Sequence, residues 1–282
     1  MKCFLVADLH GFTEQYKKLF DAVLQYKPDA VFMAGDLLPS SSVYGRAKSE
    51  NFLKTYFLPA LRKLKAELKS RYPHFFVILG NDDPRCEEVY LFQAQDEGLL
   101  SYAHNQLIAW RGYQVMGLSY IPPTPFLLKD WERYDVSRFV DPGCTHPMDG
   151  HHTVEPMEDV HYFTIQENLQ NLSKEIDPTK LICLFHSPPY QSNLDRADLD
   201  GQMIDYVPLD VNVGSIAIQR FFQTQQPLLG LHGHVHESSQ LTGMWQDSID
   251  NTRIFSAAWQ GPKLALVVFD LNNLAAANRR LL

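Results

Sequence analysis

Residues 4–11, FLVADLHG, end an apolar run in a carboxylate and, two positions later, an imidazole. Phe4 to Ala7 show no polar alternation, the pattern of a strand buried on both faces. Asp8 stands where that strand gives out, and His10 falls in the turn before the helical pattern that begins at Phe12. A carboxylate and an imidazole one residue apart on a tight turn can face one object, and the object suited to the pair is a metal ion. The pair does not decide alone, since an N-cap aspartate beside an incidental histidine has the same spacing.

Working outward, residues 12–26 place Phe12, Tyr16, Leu19, Phe20 and Val23 at helical spacing, and DAVFMAG (29–35) reads as a second buried strand. A Ser-rich loop, PSSSVYG (39–45), leads into a long amphipathic helix over 47–71 and a third strand, HFFVILG (74–80). PRCEEVYLFQAQDEG (84–98) is a helix opened by Pro84 and closed by Gly98. Strands alternating with helices imply a largely parallel sheet with helical crossovers. Further on the strands shorten: NQLIAW (105–110), YQVMGLSY (113–120), KLICLFH (180–186), PLLGLHG (227–233), RIFSAAW (253–259) and KLALVVFDL (263–271), with helices near 164–175 and 214–225. Nine strands with so few helices in the second half predict two packed sheets in one domain, 1–282. Residues 121–161 are rich in Pro, Gly and His without periodicity, and a loop of that length in a compact domain is functional or disordered. It is expected to form a lid or wall over the site.

Composition narrows the function. The 282 residues carry 25 Lys and Arg against 33 Asp and Glu, a formal charge of −8. The densest basic stretch, RKLKAELKS (62–70), is broken by Glu67 and reads as a solvated helix face, so a nucleic-acid partner is disfavoured. No apolar run approaches the roughly 20 residues of a membrane span, and Lys2 followed by a short apolar run is not a secretory leader. Cys3, Cys86, Cys144 and Cys183 are scattered, and Cys3 and Cys183 fall in strands as buried thiols. The expectation is a cytoplasmic protein.

What ends each strand raises the metal reading. VFMAG runs into Asp36, FFVILG into Asn81, Asp82 and Asp83, LICLF into His186, and LLGL into His232, His234 and His236. Taken singly, Asp36 and Asn81 are turn residues after glycine and His186 a strand-end histidine. Taken together, five strands each deliver a metal-competent side chain at the carboxyl end, the edge where α/β sheets bind ligands. His234 and His236 alternate, which sends both imidazoles to one side of an extended chain. Asp8, His10, Asp36, Asn81, His186, His234 and His236 make seven N/O donors. That is too many for one ion with an open position and suits two ions sharing a carboxylate.

The order DLH, GDLL, GNDD, a lone H and GHVH, over residues 8–236, resembles the calcineurin-like metallophosphoesterase superfamily, and HSPP with GHVHES is most similar to small bacterial phosphoesterases of the Icc-related type. The resemblance implies an α/β four-layer α-β-β-α fold, two packed mixed sheets flanked by helices. It implies that Asp8, His10 and His236 hold a first ion, that Asp36 bridges, and that Asn81, His186 and His234 hold a second. The cofactors would be two divalent transition-metal ions (Mn, Fe or Zn), and the activity hydrolysis of a phosphomonoester or phosphodiester by a water whose pKa the ions lower. The partner would be a small phosphorylated substrate, a nucleotide among the candidates; a nuclease is within the family's reach, but the acidic balance counts against it.

One motif departs. The third should read Gly-Asn-His, and Asp82 replaces a histidine that assists the leaving group or steadies the phosphate, so Asn81 and Asp82 are the candidate catalytic residues. His104, His151 and His152 are candidates to replace the histidine, against a plain reading as surface or loop residues. The alternative is a metal- and phosphate-binding protein that lost turnover with it.

Overall fold

The computed structural model describes residues 1–39, 51–156 and 163–282. The Ser-rich loop beyond Pro39, the start of the helix expected over 47–71 and residues 157–161 of the long segment lie outside them.

The first half folds as its alternation predicts. β1 (Lys2–Val6), α1 (Thr13–Tyr26), β2 (Ala30–Ala34), α2 (Leu58–Leu68), β3 (His74–Ile78), α3 (Glu88–Asp96) and the two-residue β4 (Ser101–Tyr102) follow in order. β1, β2, β3 and β4 pair in parallel. A π-turn segment, Leu53–Phe57, precedes α2. β13 (Ala265–Asp270) returns antiparallel to β1 and carries β14 (Asn273–Leu281), giving a six-stranded sheet ordered β14-β13-β1-β2-β3-β4.

The second sheet is ordered β11-β12-β10-β7-β6-β5. Its strands are β5 (Gln106–Trp110), β6 (Tyr113–Leu118), β7 (Leu181–Phe185), β10 (Leu229–His232), β11 (Gln246–Ile249) and β12 (Thr252–Ser256). β6, β7, β10 and β12 run parallel, with β5 and β11 antiparallel at the edges. α4 (Ile165–Leu172), α5 (Ile216–Gln225), the one-turn α6 (Ser238–Leu241) and a small hairpin, β8 (Met203–Ile204) and β9 (Val207–Pro208), complete the described elements.

The sheets pack face to face because their strands are apolar on both sides. Leu5, Phe32 and Phe76 point between the sheets against Leu184, Leu231 and Phe255, while Phe4, Val31 and Phe75 point outward under the helices. Phe255 of one sheet meets Phe269 of the other with ring centroids 5.7 Å apart. Burying each such side chain contributes about 1.5–3 kcal/mol. α1 lies on the first sheet, where Tyr26 meets Phe4, and α5 on the second, where Phe222 stacks on Phe185. Helix, sheet, sheet and helix are therefore the layers, as the resemblance implied.

The strands the pattern missed have physical reasons. β14, NLAAANRRL, has no buried residue and so no hydrophobic period. β4, β8 and β9 are two residues each, and β11 is an edge strand of half-buried and exposed residues.

Within the long segment, residues 121–156 are more built-in than a bare loop. Trp131 and Arg133 are among the largest fully buried side chains, and Lys129 pairs with Glu132 with both side chains at 0 % exposure. Asp135 accepts from the N–H groups of Ile216 and Ala217 and from the Ser215 hydroxyl, capping α5. Among the described residues no helix is long and apolar enough to cross a membrane.

Candidate metal centre

β1, β2 and β3 end at one edge of the first sheet, and β7 and β10 end at the facing edge of the second, so five loops meet there. Asp8 follows β1 by two residues, Asp36 follows β2 by two, Asn81 follows β3 by three, His186 directly follows β7, and His234 and His236 follow β10. The chain turns sharply at each. Asp8, His10, Asp36 and His234 have φ of 56°, 41°, 52° and 79°, a left-handed backbone that L-residues adopt at a cost and that gathers at functional sites. Close approach needs glycine as well. Gly35 sits at φ 91°, where a Cβ would meet His186 Nδ1 at 2.5 Å, and a Cβ on Gly80 would collide with the Asp36 carboxylate.

The donors converge. Asp8, His10, Asp36 and His236 each offer one ligand atom within 4.8 Å of the others. His10 Nε2 is 3.2 Å from His236 Nε2, which is 3.4 Å from Asp8 Oδ1. On the other side of Asp36, His186 Nε2 is 3.0 Å from Asn81 Oδ1 and 3.3 Å from Asp36 Oδ2, and the ring of His234 lies 5.1 Å from that of His186. Asp8, His10, Asp36 and His236 thus bring their ligand atoms together, with Asn81 and His186 beside Asp36 and His234 next to His186. Asp8 Oδ2 is buried without a hydrogen-bond partner, a spare acceptor that an ion would satisfy. Cysteine takes no part in this cluster, so the donor set is the N/O type that Mn, Fe and Zn accept. The set fits divalent metal binding.

The charges are interlocked. Burial alone would disfavour the Asp8 and Asp36 carboxylates, but the facing imidazoles of His236 and His186 outweigh it and hold both below the usual range. Burial would likewise lower His186 and His236, yet Asp36 and Asp8 raise each to about 9. His234 is pushed down to about 3 by burial and by His186. Burial, then the charge of Asp36, push the Asp82 carboxyl up.

Sequence reasoning passed over Asp83. It is fully buried and accepts from the backbone N–H groups of Leu37, Leu38 and Gly80, at 3.0, 2.7 and 2.9 Å, clamping the Asp36 loop to the Asn81 loop. Trp131 Nε1 donates to its carbonyl at 2.7 Å, which ties the 121–156 segment to the same corner. The signal was its place directly after the Asn81 motif, where a second carboxylate had no assigned task.

The substitutes proposed for the missing histidine are engaged elsewhere. His104 is 7 % exposed rather than a surface residue, lies against Tyr120 and Trp131, and its Nδ1 accepts from the Ser119 N–H. His152 Nε2 bonds the Pro147 carbonyl, and the exposed His151 pairs through its backbone with Leu127 and Lys129. A groove of about 730 Å³ lined by Trp110, Arg111, Glu175 and Asp177 opens at the start of β6, the end away from the metal donors.

Residues 1–238 match the calcineurin-like phosphoesterase family. No curated protein matches the chain. Among solved structures, TT1561 of Thermus thermophilus is similar with a TM-score of 0.54 at 16% identity, over 99% of this chain and 98% of that one. A dimetal phosphatase from Danio rerio is similar at 0.50 and 14%, over 95% and 91%. The phosphopantetheinyl hydrolase of Mycobacterium tuberculosis is similar at 0.50 and 14%, over 92% and 89%.

Proposed function

Since the chain belongs to the calcineurin-like phosphoesterase family, we propose that it hydrolyses a small phosphorylated molecule at a two-ion centre held by Asp8, His10, Asp36, Asn81, His186, His234 and His236. The observation that carries this is the meeting of donors from five strand ends around one carboxylate, with an orphaned oxygen on Asp8. When bound, two dications lower the pKa of a water between them and offset charge on the phosphoryl oxygens. The chain's own part is placement. Asp8, His10 and His236 form one half, Asn81, His186 and His234 the other, and Asp36 spans them. His186 is held with Nε2 toward the centre because Nδ1 bonds the Ala34 carbonyl at 2.7 Å.

The proteins similar in fold include a phosphopantetheinyl hydrolase and a dimetal phosphatase, and a small phosphorylated substrate is proposed in keeping with them. With aspartate at position 82, no imidazole stands there to protonate a departing alkoxide, help typically worth about 10²–10⁴ in rate. Esters with good leaving groups, such as aryl phosphodiesters, should therefore be cleaved far better than alkyl ones. The test is protein reconstituted with Mn, Fe or Zn and offered aryl and alkyl phosphomonoesters and phosphodiesters. Turnover of an aryl ester that chelator removes and metal restores supports the reading. Two bound ions with no turnover on any ester would establish the binding-protein alternative.

A further inference from the structure

Asp82 is the residue the seven donors leave over, and its N–H and both carboxylate oxygens lie against residues of the centre. Its N–H donates to Asp36 Oδ1 at 2.8 Å. Its Oδ1 accepts from Asn81 Nδ2 at 3.3 Å, and its Oδ2 lies 3.6 Å from His10 Nδ1. Asn81 and His10 belong to opposite halves of the centre. We infer that Asp82 is a positioning residue, a strut that orients His10 in one half and Asn81 in the other, and does not act on the substrate. The inference rests on the two-ion reading above.

The chemistry of imidazole ligands supports it. His10 turns Nε2 toward His236, so Nδ1 is the nitrogen on the outer side. A ligating imidazole needs its second nitrogen fixed, because the partner there sets the tautomer and the ring orientation. His186 has the Ala34 carbonyl for this purpose, and His10 has the Asp82 carboxylate. A carboxylate also makes the imidazole a better electron-pair donor than a carbonyl does. The departure from the family motif then has a geometric reason. A carboxylate offers two acceptor oxygens, one for each half, whereas a neutral imidazole offers a single acceptor nitrogen. A histidine at 82 cannot accept from both His10 and Asn81. With Oδ1 bonded by Asn81 and Oδ2 facing His10, the carboxylate is turned to these two residues, although 35 % of the side chain is exposed.

The test titrates metal-free wild type, Asp82→Ala, Asp82→Asn and Asp82→His with Co²⁺, reading the number of ions, their affinities and the visible absorption of each site, with thermal unfolding of each metal-free protein to confirm the fold. Wild type is expected to bind two ions. Asp82→Ala should weaken one of them about 10–100-fold, the usual cost of removing such a partner. Asp82→Asn, whose amide keeps an acceptor oxygen, should recover part of the loss; Asp82→His should not. In Asp82→Ala and Asp82→Asn, neither of which brings an imidazole, the dependence of kcat on leaving-group pKa should stay as in wild type. If Asp82→Ala binds both ions like wild type and loses rate only on poor leaving groups, Asp82 acts on the substrate and the inference is overturned while the metal centre stands. If wild type itself binds fewer than two ions, both readings fall.

Discussion

The loops of the candidate metal centre and the 121–156 segment are both irregular backbone carrying buried carboxylates, and the carboxylates among the predicted donors, Asp8 and Asp36, are treated in the opposite way to those of the segment. In the segment the buried carboxylates are saturated by their neighbours. Glu132 takes Lys129 and both donors of Thr124, and Asp130 takes the N–H groups of Arg85 and Thr153 with the Thr153 hydroxyl. Asp135 takes the start of α5. In the centre, Asp8 accepts the His234 N–H on one oxygen and leaves the other buried and bare, while Asp36 faces His186 across 3.3 Å. Spare acceptor capacity among facing imidazoles marks a place built for a ligand; saturation marks a place built to hold the chain. Residues 129–135 are therefore held as a brace of the fold.

Breaking the centre should cost the most. Asp36→Asn removes the carboxylate shared by the two donor groups, and activity should fall by more than about 10³-fold, the several kcal/mol that metal ions supply to a charged transition state. No single histidine change should match it. Steady-state kinetics on an aryl ester check this, and a variant with both metals and most of its activity would show that Asp36 does not bridge.

Breaking the brace should cost stability instead. Trp131→Ala empties a fully buried site and should destabilise the protein by about 3–5 kcal/mol in urea unfolding. Excising 121–161 whole should prevent folding, because Asp135 and Trp131 leave with it. A cooperative transition in the excised chain would return the segment to a detachable lid.

The smallest effect sharpens the difference through pH. His104, beside the brace, is kept neutral because burial, then Arg85 and Arg133, push its pKa well below 6.5. Below pH 6.5 the unfolded chain takes up a proton that the folded chain refuses. Stability present above that pH is thus lost on acidification, at up to about 1.4 kcal/mol per pH unit for this group. His104→Asn, which keeps an acceptor for the Ser119 N–H, should lose that slope. Equal slopes in the two proteins between pH 6 and 5 would mean that His104 titrates normally.

The same contrast explains what could be read in the sequence. A metal demands particular side chains at strand ends, so Asp8, His10, Asp36, Asn81, His186, His234 and His236 stand out by type and spacing, and the buried strands β1, β2, β3, β7 and β10 stand out by unbroken apolar runs. The brace makes no such demand. Lys129, Glu132 and Arg133 are charged residues in a Pro-rich stretch, and nothing in their order says that they are buried or whom they meet. Asp83 was illegible for a related reason, since its work is to accept three backbone N–H groups that no sequence pattern displays. His104 is a loop residue, between β4 and β5, but nothing in the sequence says that this loop packs beneath Tyr120 and Trp131.

The central claim is that five strand ends build one two-ion centre around Asp36. Crystals grown with Mn²⁺ and measured at an anomalous wavelength test it most directly. The account predicts two peaks about 3.5–4 Å apart, both touching the Asp36 carboxylate, one beside His10 and His236 and the other beside His186 and His234. A single peak, or peaks bound away from Asp36, would contradict it.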